Sequence, residues 1–151
     1  KIHIGTEHEN PVTLYSHDAH RRKGKLIWAI HVAREGKYEI RLNHWPEESG
    51  KRIVENGNGN KELPVEQANL LLGTLDSARQ VTPDMTTAKF VMNLKAGETA
   101  IQTSLDLKNS DNTLSTRCVY VEYLGEPNEE ALQDYASVDP DMYLRKIMKN
   151  K

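Results

Sequence analysis

Apolar and polar side chains alternate along most of this chain. Leu26, Trp28, Ile30 and Val32 alternate with Ile27, Ala29 and His31; beyond Arg34-Glu35-Gly36, Tyr38, Ile40 and Leu42 alternate with Glu39, Arg41 and Asn43. Strand side chains point to opposite faces with period two, so each run buries one face and wets the other. The pattern predicts a β-hairpin, with Gly36 supplying the positive φ that a tight connection often needs. Trp45-Pro46 ends it, because proline cannot continue a central ladder. Thr87 to Leu94 and Thr99 to Leu107, joined through Lys95-Ala96-Gly97-Glu98, predict a second hairpin. Ser115 to Leu124 predicts a last strand, with Cys118, Tyr120, Glu122 and Leu124 on one face and Val119, Val121 and Tyr123 on the other.

Shorter signals fill the gaps. Val12 to Ser16 reads as a strand, and His17 to Gly24 as a polar, basic loop. Ile53 to Leu63 contains Asn56-Gly57-Asn58-Gly59-Asn60 and reads as a long loop. Pro64 to Thr74 fits a short helix or a strand, and its strand neighbours favour a strand. After Gly125 the pattern changes to two short helices, the first from Pro127 to Tyr135 with Asn128 as N-cap, the second opened by Asp139-Pro140. The expectation is an all-β chain: an antiparallel β-sandwich of about seven or eight strands over residues 1–125, then a helical tail over 126–151.

At 151 residues this is one domain with room for a hydrophobic core. Twenty basic and 22 acidic residues give a formal charge of -2, which offers no bulk attraction to nucleic acid or an anionic membrane. No apolar run approaches the roughly 20 residues of a membrane helix. The chain begins at Lys1, which fits an excised piece or a processed product. A single cysteine, Cys118, excludes an internal disulfide and a multi-cysteine metal site, and its apolar strand favours a buried thiol.

Catalytic motifs are missing: there is no nucleophile elbow, no glycine-rich phosphate loop after a strand and no HExxH helix. One polar constellation stands out, His17, Asp18 and His20 followed by Arg21, Arg22 and Lys23. A metal needs three or four converging ligands, and adjacent cations oppose one. A basic, imidazole-rich loop better suits an anion such as sulfate or carboxylate on a polysaccharide, with a solvated loop as the plainer alternative. His44 and Trp45 are the second place. An indole can stack on a sugar ring, but Trp45 before Pro46 can equally plug a corner of the sandwich. Trp28 reads as core.

Taken together these pieces resemble the C-terminal domain that follows the catalytic domain in many bacterial arylsulfatases. Asn10-Pro11-Val12-Thr13-Leu14 leading to His17-Asp18-Ala19-His20 resembles that family's NPVxLxxHDxH opening. Trp28 to Pro46 resembles its W…GxYExxLxxWP segment, Leu63-Pro64-Val65 with Ala68 to Gly73 its next strand, and FVMNLKAGETAIQT with Val119-Tyr120-Val121 its closing strands. The chain departs from the pattern at Ala19, where a tryptophan is usual, and in the short link Arg21 to Lys25.

The resemblance implies a non-catalytic accessory domain packed on a sulfatase catalytic domain of the same parent. It would help shape the substrate cleft and offer His17, His20 or nearby cations to a sulfated glycan. It also implies that the parent uses calcium and a formylglycine located elsewhere, and works in the periplasm or at the cell surface. The chain itself carries no formylglycine motif and no cofactor. The other reading is a free-standing carbohydrate-binding β-sandwich presenting Tyr15, His44 and Trp45 to a polysaccharide. A docked domain would show an extended apolar patch for its partner.

Overall fold

The computed structural model describes residues 2–57 and 61–126. The tail predicted over 127–151 lies outside the described residues.

Eleven strands form among the described residues: β1 (Ile2–Ile4), β2 (Val12–Tyr15), β3 (His20–Arg22), β4 (Lys25–Val32), β5 (Gly36–Asn43), β6 (Val65–Leu72), β7 (Leu75–Gln80), β8 (Ala88–Leu94), β9 (Gly97–Leu107), β10 (Thr113–Leu114) and β11 (Cys118–Gly125). They make two sheets. One runs β1-β4-β9-β6-β7, with β3 on β4 and β10 on β9; the other runs β2-β11-β5-β8. Every pair is antiparallel except β1 with β4. The all-β sandwich expected from the alternation is the fold.

The alternation chooses the faces. Leu26, Trp28, Ile30 and Val32 of β4, Tyr38, Ile40 and Leu42 of β5, and Ala88, Phe90, Met92 and Leu94 of β8 all enter one core. Val119 and Val121 of β11, Leu70 and Leu72 of β6, and Ile101 and Leu105 of β9 complete it. Each large side chain buried in this way contributes about 1.5–3 kcal/mol. Trp28 is the largest, and its indole Nε1 donates to the Tyr15 carbonyl at 3.0 Å, tying β4 of one sheet to β2 of the other.

Pairing departs from expectation. The two predicted hairpins do not form: β4 and β5 lie in different sheets, as do β8 and β9. Each connection is an arch that carries the chain across the core. Gly36 is not among the residues with positive φ. A Cβ there would collide with the Tyr123 ring and come within 2.6 Å of the Gly125 carbonyl, so glycine is needed for close approach rather than for a turn. A true tight hairpin sits at Lys23-Gly24, between β3 and β4, where φ is 46° and 79° at the two turn residues.

The edges were also underread. β1, β3, β7 and β10 are short or polar strands at the margins, where weak alternation hides them. The Ile53 to Leu63 loop is anchored: Ile53 and Val54 are buried in the core, and Leu63 N–H donates to the Val54 carbonyl at 2.6 Å. Pro64 to Thr74 resolves as a strand, β6.

Candidate functional site

The sequence candidates gather at one end of the sandwich. Arg117 N–H donates to the Asn43 carbonyl at 3.1 Å, and Ser16 N–H donates to the Arg117 carbonyl at 3.2 Å. These bonds bring the end of β5, the start of β11 and the loop after β2 side by side.

The basic loop is an exposed rim. His17 stacks on Tyr15 with centroids 5.4 Å apart and lies 3.5 Å from Asp18, both side chains facing water. His20 and Arg21 are exposed on β3, which also carries Arg22. Arg21 Nη2 donates to the Ser16 carbonyl at 3.0 Å, fixing its own loop. Among the described residues no group of three or more His, Cys, Asp or Glu could hold a metal ion.

His44 and Trp45 are built into the corner. His44 is 7% exposed and meets the Trp45 ring edge-on, centroids 4.9 Å apart. Burial, then the nearby Arg117 cation, pushes its pKa below the ordinary value of 6.5, against a bond to the Ser115 backbone. The half-buried Trp45 donates from Nε1 to the Glu55 carbonyl at 2.9 Å, and its ring carries Lys51 Nζ at 4.6 Å and the Arg117 guanidinium at 4.7 Å. Its polar edge and two cation contacts are supplied by the protein, so the indole is not laid open as a bare platform.

Beside this corner, on the outer face of the four-stranded sheet, lies a cleft of about 360 Å³. The β5 side chains that point away from the core, Glu39, Arg41 and Asn43, line it, with Thr87 and Lys89 from the β8 side. The turn over Glu47–Ser49, with Gly50 and Lys51, forms its wall. That turn is pinned to the sheet because Glu47 N–H donates to the Tyr120 hydroxyl at 3.0 Å.

Arg41 organises the floor. Its Nη1 donates to Glu39 and to Glu122, each at 2.9 Å, and its Nε donates to Glu47 at 2.6 Å. Burial opposes the charge, but these three charge-assisted bonds outweigh it and raise the guanidinium's pKa above its already high ordinary value. Next to it Asn43 is 3% exposed, and its Oδ1 has no hydrogen-bond partner; Thr87 Oγ1 is likewise buried and unpartnered. Leaving a buried polar atom unpaired costs about 1–3 kcal/mol, so each of these two oxygens gains from any donor that reaches it.

None of Arg41, Asn43 and Thr87 stood out in the sequence. Glu39-x-Arg41-x-Asn43 was a visible signal, three polar side chains on the wet face of a strand. Nothing local announces Glu122, 81 residues from Arg41.

No family model matches the chain, and no curated relative matches it. Solved structures of similar fold do exist. A family 35 carbohydrate binding module from Clostridium thermocellum superposes with a TM-score of 0.50 at 11% identity, covering 77% of this chain and 100% of that one. CBM35 from Cellvibrio japonicus Abf62 gives 0.42 at 15% identity, covering 68% of this chain and 66% of that one. A ruminal GH26 endo-β-1,4-mannanase gives 0.49 at 12% identity, and there the chain spans 27% of the enzyme's length.

The match to the Clostridium thermocellum module overturns the arylsulfatase resemblance: that chain is a family 35 carbohydrate binding module, not a sulfatase C-terminal domain. The sulfatase catalytic domain as partner falls with it, and calcium and formylglycine are implied only through that parentage. The motifs misled because alternating strands ended by Gly, Pro and Asn turns describe a β-sandwich in general, which unrelated families share. Among the described residues the extended apolar patch expected of a docked domain is not found either. The exposed large hydrophobics among the described residues are Tyr15, Val91 and Leu124. Tyr15 on β2 and Val91 on β8 occupy opposite edges of the four-stranded sheet, three strand spacings or about 14 Å apart across the strands and further offset along them. At 11% identity the likeness to the Clostridium thermocellum module is one of fold alone.

Proposed function

We propose that this chain is a non-catalytic carbohydrate-binding module that holds a glycan in the cleft on the outer face of the four-stranded sheet. The observation that carries the reading is Asn43, 3% exposed at the cleft floor with its Oδ1 unpaired. It stands beside an Arg41 fixed by three carboxylates. A preset array of polar groups on a rigid sheet is what repeated hydroxyls require, because little ordering remains to be done on binding. Such a module would work outside the cytoplasm, bringing a catalytic domain of the same protein to its polysaccharide.

The basic rim of His17, Asp18, His20, Arg21 and Arg22 and the corner of His44 and Trp45 flank this cleft as secondary contacts in the same proposal. Affinity electrophoresis of the whole chain through gels containing soluble mannan, galactan or xylan tests it. Retardation in at least one gel, reduced by Asn43→Ala without loss of the thermal transition, is expected. Unretarded migration across the panel would overturn the reading.

A further inference from the structure

The chemistry of the cleft narrows what it can take, given the carbohydrate-binding reading above. Three cations, Arg41, Lys51 and Lys89, and two carboxylates, Glu39 and Glu47, line the cleft, and Glu122 outside the lining pairs with Arg41, so the charges balance once that partner is counted. The cations are not equally available. Arg41 directs Nε and Nη1 at carboxylates of its own protein. Lys51 Nζ lies 4.6 Å over the Trp45 ring. Lys89, opposite Arg41 in the β5–β8 register, is exposed, and a single exposed lysine is a weak anion site.

Acceptors dominate instead. Each carboxylate has about four lone-pair positions, more than its bond to Arg41 occupies. Asn43 Oδ1 accepts nothing from the protein, and Thr87 Oγ1 is unpartnered. An incoming sulfate or uronate would bring further acceptors and negative charge against Glu39 and Glu47. A hydroxyl brings a donor. We infer that the cleft recognises a neutral, hydroxyl-bearing glycan through Asn43, Thr87 and the carboxylates of Glu39 and Glu47, and disfavours sulfated and uronic-acid glycans. Its volume of about 360 Å³ sits at the low end of ligand sites, which run to about 1,000 Å³, so a short stretch of the polymer is held.

Isothermal titration of the whole chain tests this with four probes: β-1,4-mannohexaose and β-1,3-galactotriose as neutral ligands, tetragalacturonate and a sulfated carrageenan tetrasaccharide as anionic ones. At least one neutral probe is expected to bind at least about tenfold tighter than either anionic probe, a difference of about 1.4 kcal/mol. Asn43→Leu, which removes the acceptor at similar size, is expected to weaken neutral binding about tenfold. Thr87→Ser keeps the hydroxyl acceptor without adding charge and is expected to stay within about threefold of the parent. Thr87→Val supplies a second variant should Asn43→Leu lose its thermal transition. Tighter binding of an anionic probe, or neutral binding untouched by both Asn43→Leu and Thr87→Val, would overturn the inference and leave the carbohydrate-binding reading intact. Silence with all four probes, matched by no retardation on any polysaccharide gel, would remove the carbohydrate-binding reading and the inference with it.

Discussion

His44 shows how a single side chain at this end of the sandwich feels the whole arrangement. It is buried, its Nδ1 has no partner, and Arg117 stands near. Both burial and that cation disfavour the protonated ring, so the folded pKa lies below the ordinary 6.5. The unfolded chain then binds more protons in the window from about 6.5 down to the folded pKa, and stability rises with pH across it. His44 therefore contributes stability that is present above about pH 6.5 and lost as pH falls through that window. Melting the parent and His44→Gln between pH 7.5 and 5 should show a shallower fall for the variant just below pH 6.5; equal slopes would remove His44 as the cause. Cys118 lies on the same sheet face as Tyr120 and is a buried thiol, as its apolar strand predicts, with burial pushing its pKa up.

At the scale of elements, the arches between strands are where local reading gives out. The stretch Ala33-Arg34-Glu35 looks like a hairpin turn because it is polar, short and followed by glycine, yet it crosses from one sheet to the other. A turn and an arch need similar residues, and only the partner strands tell them apart. Gly36 marks the difference, since the Tyr123 ring and the Gly125 carbonyl close over it. Gly36→Ala should cost about 1–3 kcal/mol, the usual penalty of overpacking, because the Gly125 carbonyl is backbone and cannot move away cheaply. A denaturant midpoint unchanged within error would show that the close approach relaxes. The strands themselves were largely legible from alternation, whereas the marginal strands β1, β3, β7 and β10 and the anchoring of Ile53 and Val54 were not, because short polar edges carry little period-two signal.

For the whole molecule, closing two sheets requires contacts between distant parts of the chain. β2 pairs with β11 through Val12 and Val121, and β11 pairs with β5 through Val121 and Ile40. Folds built from such distant pairings fold slowly, on the order of milliseconds to seconds. Stopped-flow refolding followed by the fluorescence of buried Trp28 and half-buried Trp45 should place the main phase in that range. A main phase in microseconds would mean that local segments, not the paired sheets, set the barrier.

The same distance explains what could be read in advance. Side-chain alternation, polar turns and the absence of catalytic motifs are local properties, so the sequence by itself determined the all-β sandwich, the core positions of Trp28, Tyr38 and Phe90 and the wet face that carries Glu39, Arg41 and Asn43. Only the tertiary structure decided how the long strands pair, because β4, β5, β8 and β9 take partners that let each bury its apolar face rather than the neighbour that an arch joins to each. It also decided the cleft, which exists because Glu122 and Glu47 reach Arg41 from separate elements while Asn43 is buried beside them without a partner.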